Sequence, residues 1–515
     1  MKVWHYRGVL GRGSRTALLV RRGITWLVAM AAVGMFAAVL AAGAGARDLP
    51  PVAAAVSPTP SGRPMPPSFL GMSLEYQALH VYTGRDPNHV DPVFIQLLRN
   101  LVPGQSPIVR IGGNSADYSW WPIRGVLPPG AVRYSLTKGW LRMTKSLAAD
   151  AGAKLIMGVN LAGGRPALAA AEARAFMEGI GTRYIDALEI GNEPDLYNNA
   201  VWYRDRRGRE FFARPASYGF STYLSEVARW RQALPPIPVV GPALASLTWL
   251  TTGLDQFLAA DPGAPMITVH RYALRACPTP PSSPLFASIP NLLADRSSSG
   301  LAAGVAPYVA AAHARGVQFR LDELNSVSCS GKRGVSDTFA SALWMLDTLF
   351  SMASVGVDGV NIHSLPGARY EPFTLSKQRG KWQALVHPAY YAMLMFAEAF
   401  PPGAQLLPVS APAGPVKVWA TRSPTGRTRV VVINKDPVNT QTVQVSVPGS
   451  GGAASLDFLR APSIAATGGV TLGSQSYGTA TRTGLLKPAI TSPITASGGV
   501  YTIELPAASA VMLTQ

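Results

Sequence analysis

Residues 187–195 read Ala-Leu-Glu-Ile-Gly-Asn-Glu-Pro-Asp. The run Ala187–Ile190 is too short for a helix and stops at Gly191, which predicts a buried strand that delivers Asn192 and Glu193 at its C-terminal end. Seven further runs have the same character: Phe69–Leu74, Ile108–Ile111, Lys154–Asn160, Val239–Leu244, Met266–His270, Val317–Leu321 and Val357–Ile362. Helical patterns lie between them, among them Pro166–Gly181, Ser221–Leu234, Ala302–Arg315 and Ser336–Ser354. Short buried strands alternating with amphipathic helices predict βα units on a parallel sheet. Eight of them in order predict an α/β fold of the (β/α)8 TIM-barrel type over residues 68–402. The pattern changes at Pro401-Pro402. Alternating stretches then take over, at Val416–Thr421, Arg429–Asn434, Thr442–Val447, Val500–Leu505 and Ala510–Thr514. They predict a C-terminal all-β sandwich over 403–515, to which the Pro-, Ala- and Ser-rich segment 48–67 adds a linker or an edge strand.

The chain has 515 residues, 48% hydrophobic and 14% charged, with a net charge of +18. Such a composition supports a large core and argues against intrinsic disorder. Seven of the basic residues (Lys2, Arg7, Arg12, Arg15, Arg21, Arg22 and Arg47) precede any acid, which leaves +11 for the remainder. A basic surface favours anionic partners, including acidic polysaccharide. No Lys/Arg run with interleaved aromatics follows residue 50, so nucleic acid is not expected. The basic start, the uncharged apolar run from Ile24 to about Leu40 and the small residues Ala44-Gly45-Ala46 make 1–47 a signal peptide or a signal anchor. The mature chain is therefore expected outside the cell, secreted or anchored on the outer face of the cytoplasmic membrane, and as a monomer. Two cysteines in an exported chain, Cys277 and Cys329, invite a disulfide; two buried thiols are the other reading.

In a TIM barrel the chemistry sits where strands end. The first strand ends in Ser73-Leu74-Glu75-Tyr76, the second in Arg110-Ile111-Gly112-Gly113-Asn114, the sixth in His270-Arg271-Tyr272 and the eighth in Asn361-Ile362-His363. Two carboxylates stand out: Glu193 after the fourth strand and Glu323 after the seventh. Opposite sides of an eight-stranded ring could hold them across a sugar, one protonating the leaving oxygen and the other attacking or activating water. Asn192 suits a sugar 2-hydroxyl, and His270 and Tyr272 could orient Glu323 or line the pocket. Each residue has a plainer reading: a lone Glu as an ion-pair partner, Asn-Glu-Pro as a helix start, a lone His or Tyr as packing. The pairing of the two Glu positions with polar groups at the other strand ends favours the catalytic reading.

Four stretches together resemble glycoside hydrolase family 79: Arg-Ile-Gly-Gly-Asn at 110–114, Glu-Ile-Gly-Asn-Glu-Pro-Asp at 189–195, Val-His-Arg-Tyr at 269–272 and Asp-Glu-Leu-Asn-Ser-Val-Ser-Cys-Ser-Gly at 322–331. Ser-Asp-Thr-Phe-Ala-Ser-Ala-Leu-Trp at 336–344 strengthens the likeness, which runs from about residue 50 to the end. It implies a retaining β-glucuronidase with Glu193 as acid/base and Glu323 as nucleophile. It further implies sugar-hydroxyl contacts at Glu75 and Asn114, and a loop at Gly367–Tyr370 that holds the uronate carboxylate through Tyr370 and backbone N–H groups. The family's heparanases carry extended basic subsite loops and a processed linker. Neither is evident here, so exo action on terminal glucuronic acid or its 4-O-methyl form is expected. A Cys277–Cys329 bridge would then brace the loop that carries Glu323.

The expected partner is a glycan or glucuronide, acidic in character. No metal is expected, because the His and Cys spacings form no zinc pattern, and no nucleotide cofactor, because no phosphate-binding glycine motif follows the first strand. Two other functions fit the same residues. One is a related retaining glycosidase acting on a neutral xyloside, glucoside or arabinofuranoside. The other is a non-catalytic wall-binding protein that keeps the barrel as a lectin.

Overall fold

A computed structural model of the protein describes residues 49–261, 263–449 and 452–515. Residues 1–47, read from the sequence as a signal peptide or signal anchor, lie outside them. The eight barrel strands are β1 (Leu70–Glu75), β2 (Ile108–Gly112), β3 (Lys154–Val159), β4 (Ile185–Ile190), β5 (Val239–Leu244), β6 (Met266–Arg275), β7 (Gln318–Ser328) and β8 (Gly359–Ser364). They close into a ring in that order, every pair parallel, with β8 returning to β1. All eight apolar runs read from the sequence are barrel strands. Each is buried on both faces, inward on the barrel and outward on the helices, which is why they are continuous apolar runs rather than alternating ones.

Strands β6 and β7 are the longest, with 10 and 11 residues. Their pairing carries on past the barrel rim to Arg275↔Ser328. Just beyond it Cys277 and Cys329 are bridged, with Cα atoms 5.7 Å apart. Within this pair the register steps: Val269 faces Leu321, but the next residue, His270, faces Glu323. The same step recurs against β8, where Leu321 faces Val360 and Leu324 faces Ile362. Asp322 is thus one residue extra, a β-bulge, and a bulge re-aims side chains that strict alternation would send to opposite faces. Both Asp322 and Glu323 here make contacts inside the barrel.

The C-terminal strands form two sheets. One contains Val416–Arg422, Thr428–Asn434, Ser509–Thr514 and Ala453–Arg460 as neighbours. The other holds Gln441–Ser446 between Val500–Leu505 and the N-terminal strand Val52–Val56, which runs parallel to it. Residues 428–434 show how the first sheet is used. Val430 and Val432 face the sandwich core, while Val431 and Ile433 face the barrel core. The helices that meet them, Phe339–Ser354 and Pro388–Ala399, are buried around almost their whole circumference. That accounts for their lack of a polar face. The first of them begins at Phe339 rather than Ser336, because Thr338 is extended at its N-cap and Asp337 accepts the Gly334 N–H at 2.6 Å.

One buried ion pair pins the two bodies together. Lys435 Nζ of the sandwich lies 2.6 Å from Asp347 Oδ2 of the barrel helix, with Trp419 Nε1 donating to Asp347 Oδ1 at 2.9 Å. The Trp419 ring also stacks on Phe350 at 5.6 Å. Removing one partner strands a buried charge. Asp347→Ala is therefore expected to lower stability by about 3–5 kcal/mol in urea denaturation. Barrel and sandwich should unfold in one shared transition, followed by tryptophan fluorescence and far-ultraviolet circular dichroism. A separate sandwich transition would show that the shared core does not couple them.

Candidate active site

Arg110 on β2 is wholly buried at the centre of the barrel mouth. Its Nε and one terminal nitrogen donate to Glu189 Oε2 at 2.8 and 2.7 Å. The same nitrogen donates to Asn192 Oδ1 at 2.9 Å and lies 3.5 Å from Asp322 Oδ2. The other donates to Glu323 Oε1 at 2.7 Å. One guanidinium therefore touches four residues from two opposed strand ends, which its planar fork allows and an ammonium would not. Burial alone would drive its pKa down; Glu189, Asp322 and Glu323 outweigh it and hold the guanidinium charged.

Glu323 is aimed from both sides. Arg110 binds Oε1, and the Tyr272 hydroxyl donates to Oε2 at 2.8 Å. His270 Nδ1 stands 3.7 Å and His363 Nδ1 3.6 Å away. Burial opposes its charge, but His270, His363, Arg110 and the Tyr272 hydrogen bond together hold the carboxyl well below the usual carboxylate range. It is an anion at any physiological pH, as a nucleophile or electrostatic stabiliser must be.

Glu193 follows β4 in a left-handed backbone conformation, φ 49° and ψ 52°, ahead of a single helical turn that begins at Pro194. The Asn-Glu-Pro motif is thus a helix start as well as a site residue. A non-glycine residue in this region costs free energy that the surroundings must offset. They do so through a chain of hydrogen bonds: Glu193 N–H to Ala243 O, Ala243 N–H to Thr268 Oγ1, and Thr268 Oγ1 to Glu189 Oε1. His270 Nδ1 meets Glu193 Oε1 at 2.9 Å, and its Nε2 meets Asp322 Oδ2 at 3.3 Å. Burial pushes the His270 pKa down, but the carboxylates of Glu323 and Asp322 raise it well above the usual histidine value. An imidazolium donates from both nitrogens, which fits an acceptor oxygen on each side, Glu193 Oε1 and Asp322 Oδ2. One ligand-type atom from each of Glu193, His270 and Glu323 falls within 4.8 Å of the others.

The remaining predicted residues surround this pair. Glu75 at the end of β1 accepts the N–H groups of Asn114 and Ser115 at 3.2 and 2.7 Å, and burial raises its pKa. Gly113, at φ 66°, leaves room for it: a Cβ there would meet Glu75 Oε1 at 2.4 Å. Asn114 Oδ1 accepts from Asn192 Nδ2 at 3.0 Å. Tyr370 is buried with its ring 6.2 Å from Tyr272 and 6.0 Å from His363. Asn325 of β7 holds its loop, donating to the carbonyls of His363 and Tyr370. The N–H groups of Gly367, Ala368, Arg369 and Glu371 are engaged within the fold, by Glu371, Leu365, Ser330 and Ala368 respectively. The loop's exposed contribution is thus narrower than the row of amides that the resemblance implies. The bridge from Cys277 to Cys329 sits above β6 and β7, one turn of chain from the strand that bears Glu323.

Several residues of the site had no role in the sequence reading. Arg110, Glu189, Asp322 and His363 all touch the two glutamates or their partners. Asp117 was also missed: its carboxylate accepts the N–H groups of Leu161, Ala162 and Asn192, fixing the turns after β3 and β4. A signal was present, since an arginine inside the apolar run Ile108–Ile111 requires buried counter-charges. Beside the pair opens a cavity of about 200 Å³ lined by Asn114, Tyr118, Asn192, Glu193 and Trp202. Val201 and Trp202 in its wall begin a hairpin, Val201–Arg204 with Glu210–Phe212, whose tip exposes Arg206, Arg207 and Arg209.

Comparison with known proteins agrees with this geometry. Residues 418–512 match the glycosyl hydrolase family 79 C-terminal beta domain. A β-glucuronidase of Neurospora crassa is 24% identical over 61% of this chain and 60% of its own length. An Aspergillus niger β-glucuronidase is 23% identical over 61% of each chain. The C-terminal region is thus similar to the corresponding domain of glycoside hydrolase family 79. The chain aligns with about three fifths of those two relatives. Its fold is that of a 4-O-α-L-rhamnosyl-β-D-glucuronidase from Fusarium oxysporum 12S, with a TM-score of 0.68 and 20% identity over 90% of this chain and 100% of the other.

Arg110→Met would leave Glu189, Asp322 and Glu323 buried without their cation. The expected cost is about 3–5 kcal/mol in urea at pH 7. In the wild-type chain the Glu323 pKa is depressed, so its charge adds stability above about pH 4.5, its unfolded value, and that stability fades in acid. In the variant the carboxyl values rise above their unfolded ones, so stability falls as pH increases through that range. The deficit should consequently shrink between pH 7 and pH 5. An equal deficit at both would mean the cluster is not held by charge.

Proposed function

We propose that this protein is a retaining, exo-acting β-glucuronidase that releases terminal β-D-glucuronic acid, or its 4-O-methyl form, from glycans or glucuronides. The observation that carries the reading is the pair of carboxylates reaching in from β4 and β7, with oxygens of Glu193 and Glu323 within 4.8 Å. Carboxyl groups about 5–5.5 Å apart have room for a covalent intermediate, whereas an inverting pair stands about 6.5–9.5 Å apart to admit a water. Support for the uronate comes from the glucuronidase relatives, from Tyr370 packed beside Tyr272 and His363, and from the basic hairpin that borders the cavity, which favours an acidic substrate. Secretion or anchoring outside the cytoplasmic membrane, as a monomer, completes the proposal. Among the described residues no helix is long and apolar enough to cross a membrane.

In this mechanism protonated Glu193 donates to the glycosidic oxygen while Glu323 attacks the anomeric carbon. The bond to the leaving group breaks as the bond to Glu323 forms. Asn192, oriented by Arg110 and Asp117, binds the 2-hydroxyl. Glu193, now a carboxylate beside the His270 imidazolium, takes a proton from water as that water displaces Glu323.

The test is turnover of 4-nitrophenyl β-D-glucuronide beside the matching glucoside, xyloside and arabinofuranoside. Glucuronide turnover is expected, abolished by Glu323→Gln and lowered about 10²–10⁴-fold by Glu193→Gln. The first-formed product should be the β-anomer by proton NMR. A neutral sugar cleaved in its place would discard the uronate and keep the mechanism; the α-anomer first would discard retention. Tyr272→Phe removes one donor to Glu323. It should cost about tenfold in kcat/KM and move the acidic limb of the pH profile upward, since the hydrogen bond it loses favours the charged form. An unmoved limb would mean that Tyr272 does not tune the nucleophile.

A further inference from the structure

A cavity lined by neither of the two glutamates lies in the seam where the sandwich meets the barrel helix Pro388–Ala399. Its volume is about 430 Å³, within the range of roughly 300–1,000 Å³ common to small-ligand sites. The walls are apolar on several sides, from Pro103, Leu394, Leu472 and Leu486. Two charged residues of opposite sign are set into it from adjacent parts of one sheet. Asp457 is only 4% exposed; the Gly473 N–H lies beside its carboxylate, but Oδ1 completes no hydrogen bond within the protein. Arg429, half-buried in the same wall, has an Nε in the same condition. Burial, with the charge of Glu398 adding to it, raises the Asp457 pKa to about 7, and burial lowers that of Arg429.

A buried carboxylate oxygen and a buried guanidinium N–H without partners are costly unless something satisfies them. The two do not pair with each other: no ion pair joins Asp457 to Arg429 among the described residues. An occupant must offer donors to Asp457 and an acceptor to Arg429 while presenting an apolar face to the leucines. Water meets the first two requirements and not the third. Neighbouring sugar hydroxyls meet the first two, and the C–H face of a pyranose meets the third. Acid and base are balanced around the cavity, Asp457 and Glu398 against Arg429 and Lys487, so nothing selects a charged sugar.

We propose that this cavity is a second carbohydrate site, specific for a neutral saccharide unit and separate from the catalytic centre. It would hold the enzyme on the neutral portion of a polysaccharide whose acidic termini enter the barrel.

The test uses the full chain carrying Glu323→Gln, titrated with methyl β-D-galactopyranoside and with methyl β-D-xylopyranoside. Saturation-transfer NMR and calorimetry are the readouts, with excess D-glucuronate present to occupy the barrel mouth. Saturable millimolar binding of one of the two is expected. It should weaken about tenfold or more in Ala397→Phe, which fills the cavity, and in the isosteric Asp457→Asn, which exchanges an acceptor for a donor. The second variant decides if the first fails to fold. Turnover of 4-nitrophenyl β-D-glucuronide by the chain with Ala397→Phe alone should equal that of the wild type. No saturable binding of either glycoside, binding displaced by D-glucuronate, or binding indifferent to both substitutions overturns the proposal. None of these outcomes depends on whether the barrel cleaves a glucuronide.

Discussion

The barrel mouth is organised by one buried cation. Arg110 stands where Glu189, Asp322 and Glu323 converge, and without it three carboxylates would share a dry pocket. An arrangement of that kind cannot stay ionised unaided, because burial and mutual repulsion both favour protonation. The guanidinium resolves the conflict unevenly. Glu189, deepest in the network, keeps a raised pKa, whereas Glu323, nearer the surface and flanked by two histidines, stays charged. The difference between the two carboxylates follows from the cationic and hydrogen-bonding groups each one meets.

The same network reaches Glu193 through its backbone. Glu189 receives the Thr268 hydroxyl, Thr268 receives the Ala243 amide, and Ala243 receives the Glu193 amide. The unusual backbone of Glu193 is therefore tied to the same carboxylate that anchors Arg110. His270 closes the circuit on the other side, between Glu193 and Asp322. Position and protonation at the two ends of the site are set by one connected set of polar contacts, which is how a barrel of short strands holds two groups within a fraction of an ångström.

Much of the fold could be read directly from the chain because its strands are buried on both faces. Runs such as Val239–Leu244 and Met266–His270 announce themselves without alternation, and the polar residues behind them name the site. Glu193, Glu323, Asn192, His270 and Tyr272 stand out in the sequence for that reason, and the structure brings them together. Arg110 was visible but ambiguous, since a sequence does not say which carboxylate answers a buried arginine. The hairpin after β4 was not anticipated: Trp-Tyr-Arg-Asp-Arg-Arg-Gly-Arg at 202–209 reads as polar loop until Tyr203 is seen stacked on Phe211. Helices 339–354 and 388–399 lack an amphipathic stripe, and only the sandwich laid over them explains it. The cavity in that seam is assembled from segments more than 350 residues apart, so no local pattern could reveal it.

The extra residue in β7 sets a rule for how this strand can change. Its neighbours count two residues where it counts three, and that surplus lets Asp322 and Glu323 face the same way. Shortening the strand by one position would give a more regular sheet, with one of the two carboxylates turned to the helices. Substitution within 318–328 can be graded by chemistry, but length there is all or nothing. Insertions and deletions should therefore accumulate in the loops on either side and spare the strand, whatever glycan the enzyme comes to prefer.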